Sequence, residues 1–156
     1  MSKKPSDASR RGFLKTSAVA AAGSSILTNL SPVRAAHVNS DETIRIGLIG
    51  CGGRGRGAAD QAMNTAGPTK LVAVADAFDD NLKSAVGQLK RQHGDKVDVP
   101  EDKQFVGFDA YTKVLEQDCD IVILATPPGF RPLHFEAAIN AGKHVFMEKP
   151  VAVDAV

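Results

Sequence analysis

Ile44-Arg45-Ile46-Gly47-Leu48-Ile49-Gly50-Cys51-Gly52-Gly53-Arg54-Gly55 is where the architecture of this chain is written most densely. A β-branched run, Ile44 to Ile49, passes straight into glycines, which reads as a buried strand closing in a tight turn. The glycines at 50, 52 and 55 match Gly-x-Gly-x-x-Gly. That spacing means little alone. Its surroundings give it meaning: an Ala-rich segment, Arg56 to Asn64, reads as a short helix, and Lys70 to Asp76 reads as a second strand. Asp76 then falls about 21 residues past Gly55, where a strand–turn–helix–strand phosphate site places its acidic residue.

The chemistry follows from that geometry. Gly50 allows the turn, Gly52 lets a pyrophosphate approach the backbone, and Gly55 lets helix and strand pack closely. A helix N-terminus offers unpaired N–H groups and a positive dipole end to phosphates. Cys51, Gly53 and Arg54 complete the cofactor loop. The Asp76 carboxylate accepts from both hydroxyls of an adenosine ribose and repels a 2′-phosphate. Ala77 and Phe78 add no cation to offset that, so NAD is expected over NADP. Other readings are open. Gly52 to Gly57 also fits an Arg/Gly nucleic-acid segment, and Asp76 also fits a cap on the next turn. The register Gly53-x-Gly55-x-x-Ala58 fits too, but it ends the strand too early.

Working outward, Leu82, Ala85, Val86 and Leu89 fall at helical spacing, with Asp79 or Asp80 as cap and Gly94 as terminator. Val97 to Val106 holds at most a short strand near Phe105. Asp109 caps a short helix with Tyr111, Val114 and Leu115 inward. Asp120 to Ala125 is apolar on both faces, as a central parallel strand must be. Pro132 opens a helix to Ala141, closed by Gly142, and His144 to Met147 is a last strand. Alternating strands and helices imply an α/β fold, a Rossmann-type doubly wound parallel sheet, in the order 3-2-1-4-5.

The bulk numbers agree with one such domain. Lys and Arg total 19 against 18 Asp and Glu, a net charge of +1, so no one-signed field exists for nucleic acid. The chain has no Trp and one Tyr, which argues against an aromatic stacking platform. No metal-type Cys/His spacing appears. Cys51 and Cys119 fall at opposite ends of their strands, too far apart for a disulfide, so two free thiols are expected.

Residues 1–35 read as an address. Lys3 and Lys4 precede Ser9-Arg10-Arg11-Gly12-Phe13-Leu14-Lys15; an Ala-rich run follows from about Thr16 to Leu30; small residues then permit cleavage after Ala35 or Ala36. The apolar run is shorter than the ~18–20 residues of a membrane span. The paired arginines resemble a twin-arginine export signal, which implies engagement of that translocation machinery and a periplasmic or otherwise extracytoplasmic destination. A cytosolic amphipathic helix is the alternative. Residues 36–42 read as a linker, 43–150 as the nucleotide-binding domain and 151–156 as the start of a continuation.

Ala125-Thr126-Pro127-Pro128 ends the fourth strand, His134 follows, and then come Ala141-Gly142-Lys143-His144-Val145 and Glu148-Lys149-Pro150. Together with the glycine loop, these motifs resemble the Gfo/Idh/MocA oxidoreductases (glucose–fructose oxidoreductase, inositol dehydrogenase and relatives) over nearly all of residues 43–150. The resemblance implies NAD as cofactor and a sugar, sugar derivative or cyclic polyol as substrate. It implies that Lys149 is catalytic, facing the nicotinamide and the reacting carbon. An ammonium beside oxidised nicotinamide is expected to meet a like charge and partial burial, both of which favour release of its proton, and this suits a proton acceptor. Glu148, Thr126, Pro127 and His134 fall to the cofactor, His134 with a packed helix-face role as its alternative.

Family members continue into a second α+β domain that brings the substrate pocket, so the 156-residue chain alone is expected to be inactive. A homo-oligomer formed through that domain is compatible with the sequence. Two rival functions stand beside the dehydrogenase: a glycosidase of the same architecture using bound NAD for transient oxidation and elimination, and a non-catalytic nucleotide-binding module.

Overall fold

A computed structural model describes residues 42–154. The expected export signal over residues 1–35 and the expected linker up to residue 41 lie outside the described residues. Five strands, β1 (Ile44–Ile49), β2 (Thr69–Asp76), β3 (Gln104–Val106), β4 (Ile121–Leu124) and β5 (His144–Met147), form one sheet in the order β3-β2-β1-β4-β5. Every pairing is parallel. Four helices connect them: α1 (Gly53–Met63), α2 (Asp79–His93), α3 (Ala110–Leu115) and α4 (Arg131–Asn140).

The period of two along β1 divides the core. Ile46 and Leu48 face one side and pack with Ala59 and Met63 of α1 and Leu82, Ala85 and Leu89 of α2. Ile49 faces the other side with Val114 of α3 and Ala138 of α4. Leu48 is fully buried, and truncating such a side chain to Ala typically costs about 2–5 kcal/mol. On the second face α3 lies close over β1, because a Cβ on Gly47 would stand 2.7 Å from Val114 Cγ1. Cys51 and Cys119 are both free and buried, on opposite faces of the sheet.

The expected sheet order and strand positions agree with the structure, and the differences fall at helix starts. The first helix begins at Gly53 rather than Arg56, so half of the glycine loop is helical. Asp79 and Asp80 occupy the first turn of α2 and do not cap it; Phe78 holds the N-cap position, and its N–H donates to Asp76 Oδ1. Two carboxylates in a first turn still favour the helix through its dipole. Asp109 is at the N-cap of α3, but its carbonyl rather than its side chain accepts there, from the Thr112 N–H and hydroxyl. α4 opens at Arg131, one residue before Pro132, and ends at Asn140; Gly142 follows at φ +69°. Among the described residues no helix is long and apolar enough to cross a membrane.

Candidate active site

The C-terminal edge of the sheet holds a cleft of about 490 Å3 lined by Gly50, Gly52, Asp76, Thr126, Pro127 and His134, among others. It opens where β1, with α1 on one face, lies beside β4, with α4 on the other, which is where open α/β sheets bind ligands.

The loop glycines divide into two kinds. Gly50 has φ +96°, and a Cβ on it would stand 2.8 Å from the Ala125 carbonyl carbon and the Thr126 nitrogen. A Cβ on Gly55 would stand 1.8 Å from the Gly50 carbonyl oxygen. The protein's own backbone excludes side chains there. Around Gly52 and Gly53 a Cβ would meet nothing within 4 Å. The open space lies over the start of α1, whose first intrahelical bond runs from Arg56 N–H to Gly52 O. The amides of Gly53, Arg54 and Gly55 therefore have no intrahelical acceptor.

Asp76 joins the loop to the next helix. Its Oδ2 accepts the Cys51 N–H at 2.6 Å and its Oδ1 accepts the Phe78 N–H at 2.9 Å. Both readings of this residue therefore have a geometric basis: it braces the turn before α2, and it lines the cleft. Oδ1 also accepts from Asn81 Nδ2 at 3.5 Å, so Oδ2, with one protein donor, is the oxygen that keeps an acceptor site for a ribose hydroxyl. Cys51 contributes only its amide. Its thiol is buried beneath the loop, 3.5 Å from Ala75 O, and burial and then the Asp76 charge push its pKa up, so it is inert.

The other end of the cleft is built from side chains. His134 is buried, its Nδ1 is 3.1 Å from Thr126 Oγ1, and its ring stacks on Tyr111 at a centroid distance of 4.2 Å. Burial lowers its pKa, so the imidazole is neutral at neutral pH. Glu148 is 5% exposed and pairs with Arg54 Nη2 at 2.5 Å, bridging the turn after β5 to the first turn of α1. The Arg54 guanidinium holds the Glu148 carboxyl below the usual range. Lys149 follows, with a cis bond to Pro150; it is exposed, not partly buried as the sequence led us to expect, because it lies in the turn beyond the last residue of β5.

Sequence reasoning missed Arg131. It is 5% exposed and lines the cleft. Its Nε donates to Thr126 O at 2.7 Å, and its Nη1 donates to Glu148 O at 2.6 Å and to Pro150 O. One guanidinium thus ties the turn after β4 to the turn after β5. An arginine three residues ahead of a cleft histidine, on a helix opened by Pro132, was the only signal available.

A five-stranded parallel sheet, a glycine turn at a helix N-terminus and a carboxylate at the end of β2 define a dinucleotide-binding Rossmann domain. Residues 44–156 match the family model described as "Oxidoreductase family, NAD-binding Rossmann fold", GFO_IDH_MocA, and the chain belongs to that family. It is 32% identical to a "Glycosyl hydrolase family 109 protein" of Shewanella pealeana, over 92% of this chain and 34% of that protein. It is 34% identical to an "Inositol 2-dehydrogenase/D-chiro-inositol 3-dehydrogenase" of Halalkalibacterium halodurans, over 72% of this chain and 29% of that protein. Scyllo-inositol dehydrogenase from Lactobacillus casei, solved with NAD(H) and scyllo-inositol, superposes with a TM-score of 0.54 at 30% identity. That match covers 72% of this chain and 30% of the other. The chain spans about a third of the length of such relatives.

Proposed function

We propose that the cleft seats NAD for hydride transfer to or from a sugar, sugar derivative or cyclic polyol in the whole protein. The carrying observation is that one cleft joins Asp76, the open backbone of Gly52 and the turns after β4 and β5. The free amides at the start of α1 suit the pyrophosphate, and the unspent acceptor site on Asp76 Oδ2 suits a ribose hydroxyl. NAD supplies the hydride acceptor; the chain orients it and moves the proton. Thr126, Pro127, His134 and Glu148 flank the nicotinamide half, and Lys149 receives the proton from a substrate hydroxyl. The inositol dehydrogenases among the relatives support a cyclic polyol or sugar substrate. Replacing Lys149 with Ala in the whole protein should lower turnover by about 10²–10⁴-fold, the usual worth of a general base, with little change in NAD affinity. Full activity of that variant would remove Lys149 from the active site.

A second reading has its own support. The Shewanella match covers 92% of this chain, more than residues 44–156 can supply, so the similarity reaches into the segment before β1. Under that reading the protein is a glycosidase that keeps its NAD, oxidising and re-reducing the sugar within one turnover. The dehydrogenase accumulates NADH from added NAD and polyol; the glycosidase accumulates none while a glycoside is cleaved. Residues 1–35 serve twin-arginine export in either case. Changing Arg10 and Arg11 to Lys should hold the precursor in the cytoplasm, and undiminished periplasmic recovery would refute that role.

A further inference from the structure

We propose that Arg131 is the residue that positions Lys149. The inference rests on the reading of Lys149 given above. Among the described residues β5 is an edge strand, hydrogen-bonded to β4 alone, and its last ladder contact runs from Glu148 N–H to Leu124 O at 3.0 Å. Beyond it the chain turns at Lys149. The carbonyls of the residues before and after it, Glu148 O and Pro150 O, both accept from a single nitrogen, Arg131 Nη1. The same guanidinium is anchored at its Nε on Thr126 O, in the turn that carries Thr126 and Pro127 into the cleft. The turn at Lys149 is thus held through the carbonyls of both neighbouring residues by a group that is itself buried and rooted at the first position of α4.

The chemistry of the donor matters. A planar guanidinium fork reaches three carbonyls in fixed directions, whereas an ammonium on a flexible stem cannot reproduce them. All three acceptors are carbonyls, so the charge of Arg131 is not consumed by an ion pair with any of them, and it helps keep the nearby Glu148 carboxyl ionised. A proton acceptor works only within a fraction of an ångström of its productive place, and a supporting residue behind it sets that place. Arg131 therefore acts through Lys149 and not on the substrate.

The test is NMR of the full chain with its lysines 13C-dimethylated, the Lys149 signal being assigned by Lys149→Arg. NAD and ADP-ribose, which lacks the nicotinamide, are the probes. In the unmodified chain NAD should shift the Lys149 signal and ADP-ribose should not. In Arg131→Ala the NAD-induced shift at Lys149 should be lost, while the shifts that both ligands cause elsewhere persist. Arg131→Lys, which keeps the charge and spares the fold, should restore part of it. A full NAD-induced shift at Lys149 in Arg131→Ala or Arg131→Lys would overturn the proposal. So would loss of every ligand response in both variants, which would make Arg131 a general support of the fold. If NAD binds the unmodified chain without moving Lys149, the placement of Lys149 beside the nicotinamide fails first and takes this inference with it. Failure to bind either ligand would instead remove the NAD reading itself.

Discussion

The two ends of the cleft are built on different principles. At the β1–β2 end the site is backbone: a glycine turn, the amides of α1 and one carboxylate that braces them. At the β4–β5 end it is a set of buried polar side chains, Arg131, His134 and Glu148, each tied to another loop. A site made of backbone tolerates no Cβ where the chain approaches itself. A site made of side chains depends on the donors and charges that each side chain carries.

The widest test of that difference lies within the glycine loop. Gly55→Ala drives a Cβ into the Gly50 carbonyl and should cost about 3 kcal/mol or more, the upper part of the range for overpacking, read from urea unfolding. Gly52→Ala meets no protein atom, so it should cost only about 1 kcal/mol through a poorer N-cap. It should nevertheless weaken NAD binding by about tenfold or more, the worth of one hydrogen bond to a charged group. Equal destabilisation by the two changes would erase the division between fold glycines and ligand glycines.

The smaller effects belong to the other end and appear as pH dependence. Glu148 has a folded pKa below its ordinary 4.5, so its contribution to stability is complete above that pH and is lost as pH falls through the folded value. Glu148→Gln should flatten that acid limb of the denaturant midpoint. His134 has a folded pKa below 6.5, so the unfolded chain takes up its proton first, and stability should decline as pH falls from about 6.5 towards the folded value. His134→Gln should remove that component. An acid limb unchanged in both variants would mean that these side chains are not coupled to folding.

Legibility in the sequence follows the same division. Strand order and the roles of Gly50 and Gly55 were readable, because spacing and β-branched runs act through the backbone and need no partner. β1 and β5 fall on the residues expected. Arg131 was not readable, because helix periodicity assigns apolar residues inward, and α4 does the reverse at its N-terminal end. It buries Arg131 and His134 and exposes Leu133 and Phe135. The Arg54–Glu148 pair joins residues far apart in sequence, and only the closeness of α1 to the turn after β5 brings them together. The shift of the α1 start from Arg56 to Gly53 has a local cause: glycines read as loop, yet the first turn of a helix accepts them when it must pass close to a strand.

The central claim is that Asp76, held between the glycine loop and α2, receives the adenosine ribose. Calorimetric titration of the unmodified chain and of Asp76→Ala with NAD and with NADP tests it directly. The unmodified chain should bind NAD more tightly than NADP. Asp76→Ala should weaken NAD by about tenfold or more, the scale of hydrogen bonds to a charged acceptor, and narrow the gap to NADP. Tighter binding of NADP by the unmodified chain, or an Asp76→Ala protein with unaltered preference, would contradict the account.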